Sequence, residues 1–187
     1  MALEHALLVS LSEQAASGLE LTRRFDKSIG HFWTATHQQI YRVLGRMERD
    51  GWVRSEVVAQ QGRPDKKVYD VTEPGRLELQ RWLAEPTNPD PIRSEMMVKF
   101  RGASYGDRTV LLDQAREKLD EHARRRDLYA FLQDRDYPDP DALTGQDLDI
   151  YLVLRGGVRM EQFWIDWLTE YIQAHERSLV DARKLNR

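Results

Sequence analysis

The chain is 187 residues long, 41% hydrophobic and 32% charged, with 28 Lys+Arg against 31 Asp+Glu and a formal net charge of −3. This is the composition of an ordinary soluble protein with enough apolar surface for one sizeable domain or two small ones. The lack of cysteine excludes disulfides, thiol chemistry and cysteine-ligated zinc, and fits a cytoplasmic location. Met1 is followed by no basic leader and no run approaches 18 apolar residues, so neither export nor a membrane partner is expected.

Residues 2–13, with Leu3, Ala6, Leu7, Leu8 and Leu11, predict a first amphipathic helix. Its wide apolar side points to a second surface, a partner chain meeting Leu3 and Leu7. Ser17 and Glu20 have capping-box spacing and open a second helix over 18–29, with Leu19, Leu21, Phe25 and Ile29 for the core and Gly30 as its stop. His31 to Ala35 form the turn, the aromatics Phe32 and Trp33 packing the junction. Thr36 and Gln39 repeat the capping-box spacing, and Ile40, Val43, Leu44 and Met47 give the third helix one buried stripe up to Asp50 and Gly51. That leaves Thr36, His37, Gln38, Gln39, Tyr41 and Arg42 at its exposed N-terminal end. Glutamine can pair with adenine and arginine with guanine, while Tyr41 and Arg42 serve equally well as phosphate clamps.

Residues 52–58 and 68–71 read as two strands joined through Gly62 and Pro64. The hairpin carries Arg63, Lys66 and Lys67, a cation cluster that expects an anion. A helix followed by a basic hairpin is the layout of a winged helix-turn-helix, the helix in the major groove and the wing on the neighbouring backbone. Charge agrees once localised: residues 36–67 hold seven cations and four anions. A focused patch is what backbone binding needs.

At these residues the chain resembles the PadR family of transcriptional regulators. Gln39-Ile40-Tyr41, Leu44, Met47-Glu48 and Asp50-Gly51 match the family's recognition helix. Gly62 to Tyr69 and Val71 to Arg76 match its wing and helix entry, and Ala6-Leu7-Leu8 with Ala16 to Leu19 also fit. The resemblance covers the first 85 residues strongly. It extends over the rest as the helical C-terminal domain of the longer members, the virulence-activator type. It implies a homodimer, and in some members release from DNA by planar aromatic compounds. Thr36-His37-Gln38 is bulkier than the small residue and glycine common in the family, so no operator sequence carries over.

Thr72 caps a further helix, with Leu77, Leu79, Trp82 and Leu83 as its apolar side. Three prolines over 86–91 mark a linker, dividing a DNA-binding domain at 1–85 from a helical dimerisation domain at 92–187. A short helix over 92–101 is followed by a long one, capped by Asp107, running to about 133 with Val110, Leu111, Ala115, Leu119, Leu128, Phe131 and Leu132 inside. Its charged middle, residues 120–127, reads as a solvated face. The loop from Asp134 to Asp141 lacks the glycine and bidentate glutamate of an EF-hand, position twelve being Gly145, so no metal is expected.

The last helix spans Asp147 to about Leu179 and is apolar on more than one side. Leu148, Tyr151, Leu152, Ile165, Leu168 and Ile172 are the expected dimerisation residues. Gly156-Gly157 costs about 1 kcal/mol per residue against alanine, so a crossing helix or a ligand needs the room. Phe163, Trp164 and Trp167 are core aromatics by default and an effector pocket as the alternative.

The five histidines are scattered without a zinc-binding pair, and neither a dinucleotide fingerprint nor a phosphate loop is present. A winged-helix domain belonging to a methyltransferase would need an α/β domain, and the last 100 residues hold no strand signal. No enzyme and no cofactor are expected. The fold expectation is mainly α: a winged helix-turn-helix with a two-stranded wing, plus an all-α dimerisation domain. The functional expectation is a sequence-specific regulator of double-stranded DNA, a repressor, homodimeric on a pseudo-palindrome and released by a small aromatic effector. The competing reading is a winged-helix protein-interaction module without DNA binding, which predicts a wing without clustered cations.

Overall fold

The computed structural model describes residues 2–27, 35–59, 65–87 and 93–185, without the side chains of Ala2, Asp26, Lys27 and 179–185. The chain forms two compact units, Met1–Asp90 and Pro91–Arg187. The expected Ile29, Gly30 and the turn residues His31 to Thr34 lie outside the described residues, as do Arg63 at the wing tip, Pro89 and Pro91 of the linker, and the side chain of Leu179.

The first unit is built from α1 (Ala2–Glu13), β1 (Ala16–Ser17), α2 (Gly18–Lys27), α3 (His37–Arg49), β2 (Val53–Val58), β3 (Lys66–Val71) and α4 (Glu73–Leu83). Local chemistry sets these boundaries. The Gln39 N–H donates to Thr36 Oγ1 (3.2 Å) and the Thr36 N–H to Gln39 Oε1 (2.8 Å), a complete capping box at the start of α3. Gly51 takes φ +74° beyond the end of α3, the left-handed region that favours glycine. Leu7, Leu8, Leu11, Leu21, Phe25, Ile40, Leu44, Met47, Val53, Tyr69 and Val71 make one core between the helices and the sheet.

The sheet is antiparallel with order β1-β3-β2, so the wing hairpin has a third strand. Ala16 pairs with Tyr69 and Ser17 with Val68. A two-residue strand has no periodicity to betray it, and in the sequence Ser17 shows only as a capping residue.

Helix α4 meets the core through Gly75, Leu79 and Trp82, spaced as one helical stripe. Leu77 and Leu83, expected on that side, are exposed because they fall off the stripe. A methyl group at Gly75 would lie 2.1 Å from the Trp52 carbonyl oxygen. Gly75→Ala is therefore expected to destabilise the protein by about 1–3 kcal/mol through overpacking, read as a lower urea midpoint. An unshifted midpoint would mean the α4 entry yields more freely than this contact implies.

The second unit contains α5 (Glu95–Arg101), α6 (Arg108–Asp136) and α7 (Gly145–Leu185), with 3-10 turns at Ala103–Tyr105 and Pro140–Ala142. Helices α6 and α7 run antiparallel: Arg116 reaches Glu176, His122 reaches Glu161 and Gln133 reaches Tyr151. Phe100, Leu112, Ala115, Leu168 and Ile172 form its core. The inner face of α6 carries Leu112, Ala115 and Tyr129, whereas Val110, Leu128 and Phe131, expected inside, are exposed. A long helix with apolar residues all round offers periodicity two choices, and contact with α7 decides between them. Among the described residues the protein is thus mainly helical with one small sheet, the expected class.

Candidate DNA-binding surface

The N-terminal end of α3 is presented to solvent, with Thr36, His37, Gln38, Gln39, Tyr41 and Arg42 all exposed. Their roles differ once the hydrogen bonds are counted. Gln39 Oε1 is held by the Thr36 N–H and the Thr36 hydroxyl by the Gln39 N–H, so this pair stiffens the helix start. Gln39 therefore does not offer the free two-edged amide that adenine requires, while Gln38 makes no such bond among the described residues. Tyr41 is a packed residue as well as an exposed one. Its ring lies over Gly18 at the start of α2, where a methyl group would come within 2.5 Å of the ring Cζ. The His37 ring lies beside it, tilted by 46° with ring centroids 4.5 Å apart. Arg42 has no acidic partner among the described residues, in contrast to Arg46, which pairs with Glu4, and Arg54, 2.9 Å from Asp70.

Lys66 and Lys67 are not unmet cations: Lys66 Nζ donates to Glu20 Oε1 (3.0 Å) and Lys67 Nζ to Glu48 Oε2 (2.7 Å). The anions come from α2 and α3 of the same unit. Hydrogen bonds from the Ser17 backbone, the Ser17 hydroxyl and Lys66 hold the Glu20 carboxyl down at about 2. A depressed carboxyl contributes stability above its ordinary value of 4.5 and loses it as pH falls toward 2, so this pair stands throughout the neutral range. Glu48 is likewise lowered, by Lys67 and then Ser55. In the sequence Glu20 shows only as a capping residue and Glu48 as a helix-surface acid; nothing local marks either as a partner of the wing.

Further along the chain, the aromatics of α7 are mostly packed. Trp164 stacks on His122 of α6 (5.6 Å, 17°), and Trp167 lies 5.7 Å from Phe100 of α5. Phe163 is 55% exposed. The room at Gly157 is filled by the Tyr129 ring, 3.3 Å from where a methyl would sit, while at Gly156 a methyl would meet nothing within 4 Å. Four expected dimerisation residues are buried in the chain's own cores: Leu7 in the first unit, and Tyr151, Leu168 and Ile172 in the second. Little surface of those side chains is left for a partner. Leu3 packs against the first core, Leu148 and Ile165 are half-buried, and Leu152 is exposed.

Residues 7–81 match the model of the transcriptional regulator PadR-like family, and residues 92–176 that of the virulence activator alpha C-terminal domain. A probable transcriptional regulator of Mycobacterium tuberculosis is 52% identical over 184 residues, covering 93% of this chain and 97% of the relative. The chain belongs to the PadR family. As a PadR-family protein it is a non-enzymatic, DNA-binding transcriptional regulator, which removes the reading as a module without DNA.

Solved relatives cover more than nine-tenths of its length. Bacillus subtilis PadR in complex with operator DNA superposes with a TM-score of 0.82 at 25% identity, covering 93% of this chain and 99% of that one. The same B. subtilis protein in complex with p-coumaric acid gives 0.76 at 24% identity, covering 93% and 98%. The Vibrio cholerae virulence activator AphA gives 0.77 at 30% identity, covering 94% and 98%. Among the described residues, no helix is long and apolar enough to cross a membrane.

Proposed function

We propose that this PadR-family regulator is a cytoplasmic, homodimeric repressor that reads a pseudo-palindromic operator with α3. His37, Gln38 and Arg42 face the major groove, and Tyr41, braced on Gly18, sets their distance from the backbone. The observation that carries this reading is the capped and exposed N-terminal end of α3 with Arg42, which has no acidic partner among the described residues. Helix-turn-helix proteins present that end to base edges. Residues 1–85 serve as the DNA-binding domain and 92–187 as the dimerisation domain. Repression is supported by a relative, the negative transcriptional regulator PadR of B. subtilis, 29% identical over 170 residues.

Dimerisation uses a face that the expected residues only touched. Leu152, Met160 and Phe163 are 52%, 60% and 55% exposed, and with Gly156 they line one side of α7. The absent side chain at Gly156 lets another helix approach closely there. A two-fold dimer on this seam places two α3 helices about one DNA turn apart, ~34–36 Å. An effector acts by favouring a dimer with a different spacing, and must bind the two states unequally. A planar aromatic acid is the effector class supported by the B. subtilis complex.

Fluorescence anisotropy tests the reading on DNA from the gene's own upstream region against a scrambled duplex, at two salt concentrations. Preferential binding that weakens with salt, followed by release on adding p-coumaric acid, is the expected result. Equal weak binding to both duplexes would remove that region as the operator. Binding that persists with the acid present would remove it as the effector.

A further inference from the structure

Lys66 and Lys67 are neighbours on β3 and so project to opposite faces of the sheet. Each nevertheless meets a glutamate, and from a different helix: Glu20 of α2 at 3.0 Å and Glu48 of α3 at 2.7 Å. Neither glutamate is a passing surface acid. Glu20 Oε2 also accepts from the Ser17 N–H and the Ser17 hydroxyl, both at 2.8 Å. Glu48 Oε1 also accepts from the Ser55 hydroxyl, and the Lys67 ammonium sits 5.2 Å from the centre of the Tyr69 ring. Arg42, on the face of α3 assigned to the groove, has no such counter-ion among the described residues.

We propose that Glu20 and Glu48 are specificity-determining positioning residues: built-in counter-charges that fasten the wing to α2 and α3 and withhold Lys66 and Lys67 from phosphate. The proposal rests on the DNA reading given above. A phosphate approaching either lysine meets a neutral pair, and a fixed carboxylate that repels it. The other donors already hold each carboxylate in place, so little side-chain freedom remains to be lost in keeping the lysine, and a loose surface pair lacks that advantage. A paired lysine also condenses no extra phosphate and displaces no counterion, so it adds nothing to the salt dependence of binding. The wing is then a rigid flank of the reading head whose strand cations are silent on arbitrary DNA. Discrimination falls to the α3 face, because non-specific affinity comes almost wholly from unmasked cations.

Binding of the full chain to a scrambled duplex, measured by anisotropy between about 50 and about 200 mM KCl, tests this. Glu48→Gln should tighten binding at the lower salt and steepen the salt slope by about 0.9, roughly three- to fourfold more affinity lost across that range. Lys67→Met alone should leave the slope unchanged, and Glu48→Gln with Lys67→Met should return it to the starting value. Circular dichroism on each variant confirms the fold, with Glu20→Gln as a second route because the amide oxygen still accepts the Ser17 N–H. A slope unaltered in both glutamine variants, or made shallower by Lys67→Met, would overturn the counter-charge role while leaving DNA binding intact. No binding by the unaltered chain at the lowest salt would instead bring down the DNA reading, and this proposal with it.

Discussion

Leu152→Glu with Met160→Glu is expected to give a folded monomer that has lost about 10²–10⁴ in apparent affinity for operator DNA. Both side chains are more than half exposed on α7, so the charges cost the isolated unit little, within about 0.5 kcal/mol each for surface positions. Across a two-fold seam the same charges are doubled and desolvated opposite Gly156, where helices would lie closest. In the proposed dimer, coupling of two reading heads would supply the second half-site at high effective concentration, and a monomer would forfeit that gain without losing any contact of its own. Light scattering coupled to size exclusion reads the mass, and anisotropy reads the affinity. A variant that stays dimeric would place the seam elsewhere, with the exposed Leu128 and Phe131 of α6 as the next face to alter.

Arg42→Ala is expected to weaken operator binding roughly tenfold or more, about 1–3 kcal/mol if the guanidinium pairs with a guanine edge. Arg42 forms no ion pair among the described residues, so its removal orphans no buried acid and should leave the melting temperature nearly unchanged. The salt slope separates its two roles. A phosphate clamp would give a slope shallower by about 0.9 and equal weakening on scrambled DNA, and a base reader would give a selective loss on the operator. An affinity unchanged on both duplexes would take Arg42 out of the interface. The contrast with Lys67→Met, for which no slope change is expected, makes the pair of variants a direct measure of which cations the fold leaves available.

Much of the molecule follows from local chemistry. The capping box of Thr36 and Gln39, the stripe Ile40, Val43, Leu44 and Met47, the cap at Thr72, and the alternation in β3 each depend on residues a few positions apart. Short-range hydrogen bonding and side-chain period determine them almost regardless of what packs above, so the sequence by itself set the helix-turn-helix, the wing and the long C-terminal helices. Only the tertiary structure decided which charges are spent and which faces are covered. Lys66 lies 46 residues from Glu20 and Lys67 19 from Glu48, and no spacing rule links them. Tyr151, Leu168 and Ile172 look like a seam by period yet are enclosed by their own unit, while Leu152, Met160 and Phe163 remain outside. Periodicity marks a side chain as apolar or charged; what meets it is settled by elements distant in the chain, because burial and ion pairing are properties of neighbours in space.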